Sequence, residues 1–236
     1  MDKVVASPAV AVADIPDGAS LAVGGFGLCG IPMELIEALR ERGVGGLHVV
    51  SNNCGVDDWG LGVLLAEGRI TRITASYVGE NKEFARQYLA GEIDVELVPQ
   101  GTLAERLRAG GCGIPAFYTP AGVGTPLAGP SREVREFGGR EYLLEESITT
   151  DFALVHAERG DRYGNLAFRS SARNFNPMAA MAGRVTIAQV EEVTDLEPDE
   201  VHLPGIFVDR VVPVGRVEKR IEKTVTLPAG MVGGGR

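Results

Sequence analysis

Residues 20–53, SLAVGGFGLCGIPMELIEALRERGVGGLHVVSNN, decide the fold. Leu21-Ala22-Val23 reads as a short apolar strand that runs into a glycine-rich turn. Pro32 then opens MELIEALRER, with Leu35, Ile36 and Leu39 on one face and Gly43 as the stop. Leu47-His48-Val49-Val50 is a second strand, ending at Ser51-Asn52-Asn53. Two strands joined through a helix by short connections make a parallel pair.

The alternation continues outward to Pro120. A helix-like segment at 61–66 precedes a strand at 70–77. Asn81 is placed to cap KEFARQYLAG, in which Phe84, Tyr88 and Leu89 share a side. Val95 to Val98 form a strand ending at Pro99-Gln100-Gly101, LAERLRAGG is the next helix, and 116–119 a further short strand. The expected fold is α/β: an open, mostly parallel sheet flanked by helices on both faces. Ligands of such sheets sit beyond the carboxyl ends of the strands. Three loops fall there, at 24–30, 51–55 and 99–102.

After Pro120 the texture changes. Residues 121–131 (AGVGTPLAGPS) form a Gly/Pro-rich loop, and 132–145 suggests a hairpin around Gly138-Gly139. Strands at 152–156 and 166–168 flank a turn at 161–165, and a short helix at 178–182 precedes a strand at 185–190. With no clean linker and no repeat, residues 1–236 are expected to form a single domain with a β-rich insertion at about 121–170. The closing MVGGGR reads as a frayed tail, and residues 217–223 (VEKRIEK) as a solvated face.

The composition excludes some function classes. A formal charge of −9, from 23 Lys+Arg against 32 Asp+Glu, argues against nucleic-acid binding, which needs a basic surface. The 32 glycines are spread among apolar runs, as tight turns require. Cys29, Cys54 and Cys112 cannot pair off completely and match no zinc or CxxC spacing, which suits a reduced compartment. His48, His156 and His202 give no ligand spacing either, so no metal is expected. The first residues carry no basic or Arg-rich targeting pattern, and no apolar run approaches the roughly 18 residues that cross a bilayer. A soluble cytoplasmic protein is expected, without a membrane or nucleic-acid partner.

Gly25-Phe26-Gly27-Leu28-Cys29-Gly30 fits GxGxxG between a strand and a helix, where backbone amides can cradle a phosphate. A dinucleotide site would also need an acidic residue at the end of the second strand. Ser51-Asn52-Asn53 stands there, with no Asp or Glu before Asp57. The competing reading is a glycine turn that packs helix against strand. Cys29 within it is expected as a small buried space-filler rather than a reactive thiolate.

A longer pattern runs Asp17-Gly18, Leu21-Ala22-Val23, Gly24-Gly25-Phe26 and Gly30-Ile31-Pro32. It resembles the signature of the class I coenzyme A transferase family. VSNNCGVDDWGLG, SYVGENKEF, VELVPQGTLAERLRAGG, PAFYTPAGVGT, REVREF and SARNFNP each look like stretches of the 3-oxoacid CoA-transferases, over about residues 10–213. Of the two chain types in that group, the likeness is to the A subunit. It is closer to the succinyl-CoA:acetoacetate enzymes than to the 3-oxoadipate ones.

The resemblance implies transfer of CoA from succinyl-CoA to acetoacetate through a glutamyl–CoA thioester, with CoA as substrate and product and no permanently bound cofactor. The family's nucleophile lies in Ser-Glu-Asn-Gly, which is absent; Gly79-Glu80-Asn81-Lys82 is the nearest string. The nucleophile is therefore expected on a separate partner chain, the CoA-transferase B subunit, in an A2B2 hetero-oligomer. Matched positions imply a CoA-associated loop of Gly24, Gly25, Phe26, Gly27, Leu28, Cys29 and Gly30. They also imply Gln100 as an oxyanion or substrate donor, against a plain turn residue. Asn52 and Asn53 would orient the acyl carboxylate, or serve only as strand-end turn residues. A 3-oxoadipate or other short-chain acyl enzyme, and a non-catalytic acyl-CoA-binding module, are the alternatives.

Overall fold

The computed structural model describes residues 1–128 and 132–220. The MVGGGR tail and parts of the 121–131 loop and the 217–223 stretch lie outside the described residues.

The first half alternates as expected. After a short helix α1 (Pro8–Ala11) come β1 (Ser20–Val23), α2 (Met33–Arg42), β2 (Leu47–Val50), α3 (Gly62–Ala66), β3 (Ile70–Ala75), α4 (Lys82–Ala90), β4 (Asp94–Leu97) and α5 (Gln100–Gly111). Then β5 (Ala116–Thr119), β6 (Val134–Phe137) and β7 (Arg140–Glu146) form a small antiparallel sheet ordered β5-β7-β6. The chain returns through β8 (Thr150–Gly160), β9 (Leu166–Ala167), α6 (Asn176–Ala182), β10 (Gly183–Val193) and β11 (Arg210–Pro213). The main sheet runs β11-β10-β8-β1-β2-β3-β4, with every neighbour on that path parallel and β9 antiparallel on β8.

Both faces are covered, and the strand side chains sort between them. Leu21 and Val23, Leu47 and Val49, and Phe152 and Leu154 join the core beneath α1 to α4. Ala22, Val50, Ala153, Val155, Ala157 and Ala188 face the other way, with Leu103 and Leu107 of α5 and Ala179, Ala180 and Ala182 of α6. Alanines on both sides of that contact let α6 lie close on the sheet. A Cβ on Gly183, where α6 joins β10, would sit 2.6 Å from the Ala153 methyl.

Local signals account for the helix ends. The α2 residues Leu35, Ile36 and Leu39 are fully buried, and Gly43 closes the helix at φ 78°. Asn81 caps α4 by accepting from Phe84 N at 2.7 Å, and its Nδ2 donates to Cys54 O at 3.0 Å.

Two expectations change. On α4, Phe84 is fully buried, but Tyr88 is 43% exposed and Leu89 84% exposed. Leu89 lies about 140° around the helix from Phe84. Gln87 turns inward instead and donates to Leu65 O at 3.2 Å. The stretch 150–160, expected within the β-rich insertion, runs beside β1 at the middle of the main sheet, whereas β5 belongs to the small one. β8 is apolar on both faces, as the middle of a parallel sheet demands. A short apolar run of that kind does not by itself say which sheet it joins.

A charged cluster seats α5 against the small sheet. Arg106 bonds Glu96 Oε1 of β4 at 2.7 Å and the Glu146 carbonyl of β7 at 2.7 Å. Arg132 pairs with the buried Glu145 carboxylate.

Asn81→Ala is expected to lower the unfolding free energy by about 2 kcal/mol, from the lost cap and the unpaired Cys54 carbonyl. Leu89→Ser in the isolated chain should stay within about 0.5 kcal/mol. Urea denaturation of the two variants checks both values.

Candidate active site

The chain moves away from β1 in one direction through β2 to β4, then returns on its other side at β8. That reversal puts a crevice at the carboxyl ends of β1 and β8, where ligands of open α/β sheets collect. The loop at 24–30 fills it. Gly24 N donates to Leu154 O at 2.9 Å, and Phe26 and Cys29 pair through two 3.0 Å backbone bonds around a turn that needs Gly27 at φ 57°. The amides of Gly25, Gly27 and Leu28 take no part in those bonds. Phe26 stands 47% exposed at the tip, while Leu28 is buried.

Close approach explains the glycines at both ends of the loop. A Cβ on Gly24 would lie 2.0 Å from Asn176 Oδ1, and one on Gly30 would lie 2.7 Å from Ala172 O, at φ 73°. Asn176, the fully buried first residue of α6, accepts from His156 N at 2.9 Å and donates from Nδ2 to Gly30 O at 3.0 Å and Ala172 O at 2.8 Å. Asn174 adds a 3.0 Å bond to Cys29 O. The SARNFNP stretch thus braces the glycine loop from behind.

The helix after the loop is not open to a phosphate. Leu35 N in the first turn of α2 donates to Gln189 Oε1 at 3.2 Å, and Gln189 is fully buried. Gln189 then presents Nε2 to His156 Nδ1 at 3.0 Å, so Nδ1 accepts. The ring proton therefore sits on Nε2, 3.2 Å from Glu191 Oε1, which Lys219 also contacts at 2.8 Å. Burial pushes the His156 pKa below the ordinary histidine value, with Glu191 opposing the shift.

Asn52 and Asn53 end β2 and are 2% and 3% exposed. Asn52 Oδ1 accepts from Ser76 Oγ at 2.7 Å, and Ser76 N donates to the Asn52 carbonyl at 3.0 Å. Asn53 Nδ2 is buried with no hydrogen-bond partner. The Asn53 residue lines a void of about 10 Å³ shared with Gly24, Gly25, Gly27 and Ser51. That is room for about one water-sized group.

Gln100 sits apart from this pair. It is exposed, opens α5 and comes two strands beyond β2, so its loop lies about 10 Å from that of Asn53. The structure therefore joins Asn53 to the glycine loop and sets Gln100 farther along the same edge. Cys29, expected as a buried filler, is exposed, with Sγ 3.6 Å from Ser171 Oγ. The loop folds out as a hairpin, which leaves its thiol on the outer wall. There it borders a cavity of about 430 Å³ with Leu28, Trp59, His156 and Phe168, and the Arg220 guanidinium lies 4.0 Å from the Trp59 ring centroid. Glu80 is exposed in the turn before α4.

Sequence reasoning missed Gln189 and gave His156 no part. They are 33 residues apart, and only the parallel pairing of β8 with β10 sets them side by side. Among the described residues, no helix is long and apolar enough to cross a membrane, and no cluster of three or more His, Cys, Asp and Glu is arranged to hold a metal ion.

A parallel sheet with a glycine hairpin at its reversal point and an antiparallel side sheet is a coenzyme A transferase architecture, and the chain belongs to the coenzyme A transferase family, whose model matches residues 5–213. Among its relatives, the A subunit of the succinyl-CoA:3-ketoacid coenzyme A transferase of Helicobacter pylori (strain J99) is 55% identical, with 97% of this chain and 100% of that protein covered. The A subunit of the "probable" enzyme of the same name in Mycobacterium tuberculosis (strain H37Rv) is 60% identical, with 94% and 98% covered. Among solved structures, the apoenzyme of the acyl-CoA transferase YdiF from Escherichia coli O157:H7 superposes with a TM-score of 0.79 at 26% identity. That match takes in 90% of this chain but only 47% of the longer enzyme.

His156 gives a pH prediction. With its folded pKa below the ordinary 6.5, the unfolded chain binds the extra proton first as pH falls. The stability it supports is complete above about pH 6.5 and declines below that value toward the lowered folded pKa. Unfolding free energies measured from about pH 7.5 to pH 5 should fall on the acid side, and His156→Gln should flatten that part of the slope.

Proposed function

We propose that this chain is the A subunit of a 3-oxoacid CoA-transferase that moves CoA from succinyl-CoA to acetoacetate, with the nucleophilic glutamate on a separate B subunit. The observation that carries the reading is Asn53, whose Nδ2 is buried and unpartnered and which lines one small void with Gly24, Gly25 and Gly27 of the glycine loop. A donor left unpaired in the interior costs about 1–3 kcal/mol, and a site that meets it with a substrate oxygen recovers that cost on binding. The names of the H. pylori and M. tuberculosis relatives give succinyl-CoA and a 3-ketoacid as the pair between which CoA moves, and both name an A subunit, which supports the reading.

In the first step a carboxylate oxygen of the partner's glutamate attacks the succinyl thioester carbonyl. The C–S bond breaks, leaving an acyl–glutamyl anhydride and CoA thiolate. The thiolate attacks the glutamyl carbonyl, succinate leaves, and a glutamyl–CoA thioester remains. Acetoacetate reverses the sequence: its carboxylate displaces the thiolate, which then takes the acetoacetyl group and frees the glutamate. Every step passes through a tetrahedral oxyanion.

This chain's part is to supply donors to that charge. The candidates are Asn53 Nδ2, the Gly25, Gly27 and Leu28 amides, and the Gln100 carboxamide, with Asn52 held by Ser76 as the support of Asn53. A carboxamide donates without competing as a nucleophile. CoA is substrate and product, and no resident cofactor takes part. The working assembly is a cytoplasmic A2B2 hetero-oligomer, with this whole chain acting as one unit.

CoA exchange between succinyl-CoA and acetoacetate should appear only when this chain is mixed with its partner chain. Asn53→Ala should lower kcat by about 10²–10³-fold, the usual effect of losing one oxyanion donor. Full exchange by the chain alone, or an unchanged kcat in Asn53→Ala, would refute the reading.

A further inference from the structure

Three anchors of the glycine loop meet on Leu154 and His156 of β8. Gly24 N, at the start of the loop, donates to Leu154 O at 2.9 Å. Gly30, at its end, is held by Asn176, whose Oδ1 accepts from His156 N at 2.9 Å. Helix α2, which carries the loop onward, is tied through Gln189 to the His156 ring at 3.0 Å. His156 takes part in two of these anchors, and the scheme above gives its side chain no role.

The tie on α2 comes from an unexpected place. A helix start is ordinarily capped by its own neighbour in sequence. Pro32 at the start of α2 makes no side-chain cap, and the bond to Leu35 N comes from a residue 154 positions later. A local Ser or Asp would satisfy the first turn and leave the helix free to shift over the sheet. Gln189 fixes it to β10 instead, and the parallel register of β10 with β8 sets Gln189 directly beside His156.

The chain of bonds runs in one direction only. Leu35 N is a backbone amide and can only donate, so Gln189 meets it with Oε1. Nε2 is then the end that faces the ring, and it needs an acceptor there. His156 Nδ1 supplies it. His156 is 5% exposed and Gln189 fully buried, so bulk solvent replaces neither contact. Without that acceptor the carboxamide is free to turn, and Leu35 N loses its partner.

We propose that His156 is a positioning residue of the transferase. Its Nδ1, as an acceptor, holds Gln189 and through it the α2 end of the glycine loop, so that the Gly25, Gly27 and Leu28 amides keep their place at the reacting carbonyl. The proposal rests on the transferase reading above. His156 itself touches no reacting atom. Its effect passes through the placement of the loop, where a shift of about 1 Å costs up to about 100-fold in rate.

The test uses the complex of this chain with its partner chain, exchanging CoA between succinyl-CoA and acetoacetate. His156→Leu removes the acceptor, and Gln189→Met breaks the same chain from its other side. His156→Asn restores an acceptor, because its Oδ1 reaches the place of Nδ1. The leucine and methionine variants should each lose about 10- to 100-fold in kcat, with KM for succinyl-CoA within about threefold of wild type. The asparagine variant should keep kcat within about threefold, since the hydrogen bond is remade. The double variant His156→Leu with Gln189→Met should lose no more than the worse single one, since both act through one chain. Unchanged kcat in both single variants, with only the melting temperature lowered, would mark a structural contact and overturn the proposal. Losses that multiply in the double variant, or an asparagine variant as slow as the leucine one, would overturn it too. If His156→Leu fails to assemble, Gln189→Met, which leaves the histidine in place, and His156→Asn carry the same decision. Absence of all exchange in the wild-type complex would instead overturn the transferase reading on which the proposal rests.

Discussion

The side-chain amide of Asn176 is the contact on which the site's architecture depends. It joins three elements that are far apart in the chain: the β8 backbone at His156, the glycine loop at Gly30, and the turn before α6 at Ala172. Oδ1 and Nδ2 are both used, so its full burial leaves no orphaned polar group. Its position also forces the sequence around it. Gly24 and Gly30 tolerate no side chain because Asn176 and the Ala172 carbonyl occupy that space. The loop's shape thus follows from packing at its back, which leaves its front free for chemistry.

The polar chain behind α2 has a related consequence. Gln189 closes the first turn of the helix from inside, and His156 and Glu191 continue the chain to Lys219. In a dinucleotide-binding fold the corresponding helix end faces a pyrophosphate. Here a protein carboxamide occupies it. The same GxGxxG string therefore produces a hairpin closed by the Phe26–Cys29 backbone pair. The motif encodes a tight backbone, and the neighbours on β8, β10 and α6 determine what that backbone does.

The first half of the fold was legible because its signals are local. Leu35, Ile36 and Leu39 repeat at helical spacing, and Gly43 and Asn81 act through their own turns. The position of β8 was not legible, because a strand buried on both faces shows no alternation to mark where it belongs. Leu89 misled for a related reason: α4 is short, and its buried face closes on Gln87 before reaching that residue. At the site, the loops at 24–30, 51–55 and 99–102 could be placed on one edge from strand order alone. Which asparagine keeps an unpaired donor depends on Asn52 Nδ2 reaching Asn53 Oδ1 at 3.5 Å while Ser76, on the neighbouring strand end, holds Asn52 Oδ1. Asn176, Gln189 and His156 come together only through the crossover from β8 to β10, and no spacing rule in the sequence announces it.

The central claim is a divided active site, in which this chain supplies hydrogen-bond donors and its partner chain supplies the nucleophile. Intact-mass spectrometry of the two mixed chains after incubation with succinyl-CoA tests it most directly. The account predicts a CoA thioester adduct on the partner chain alone, with this chain at its unmodified mass. An adduct on this chain would contradict it.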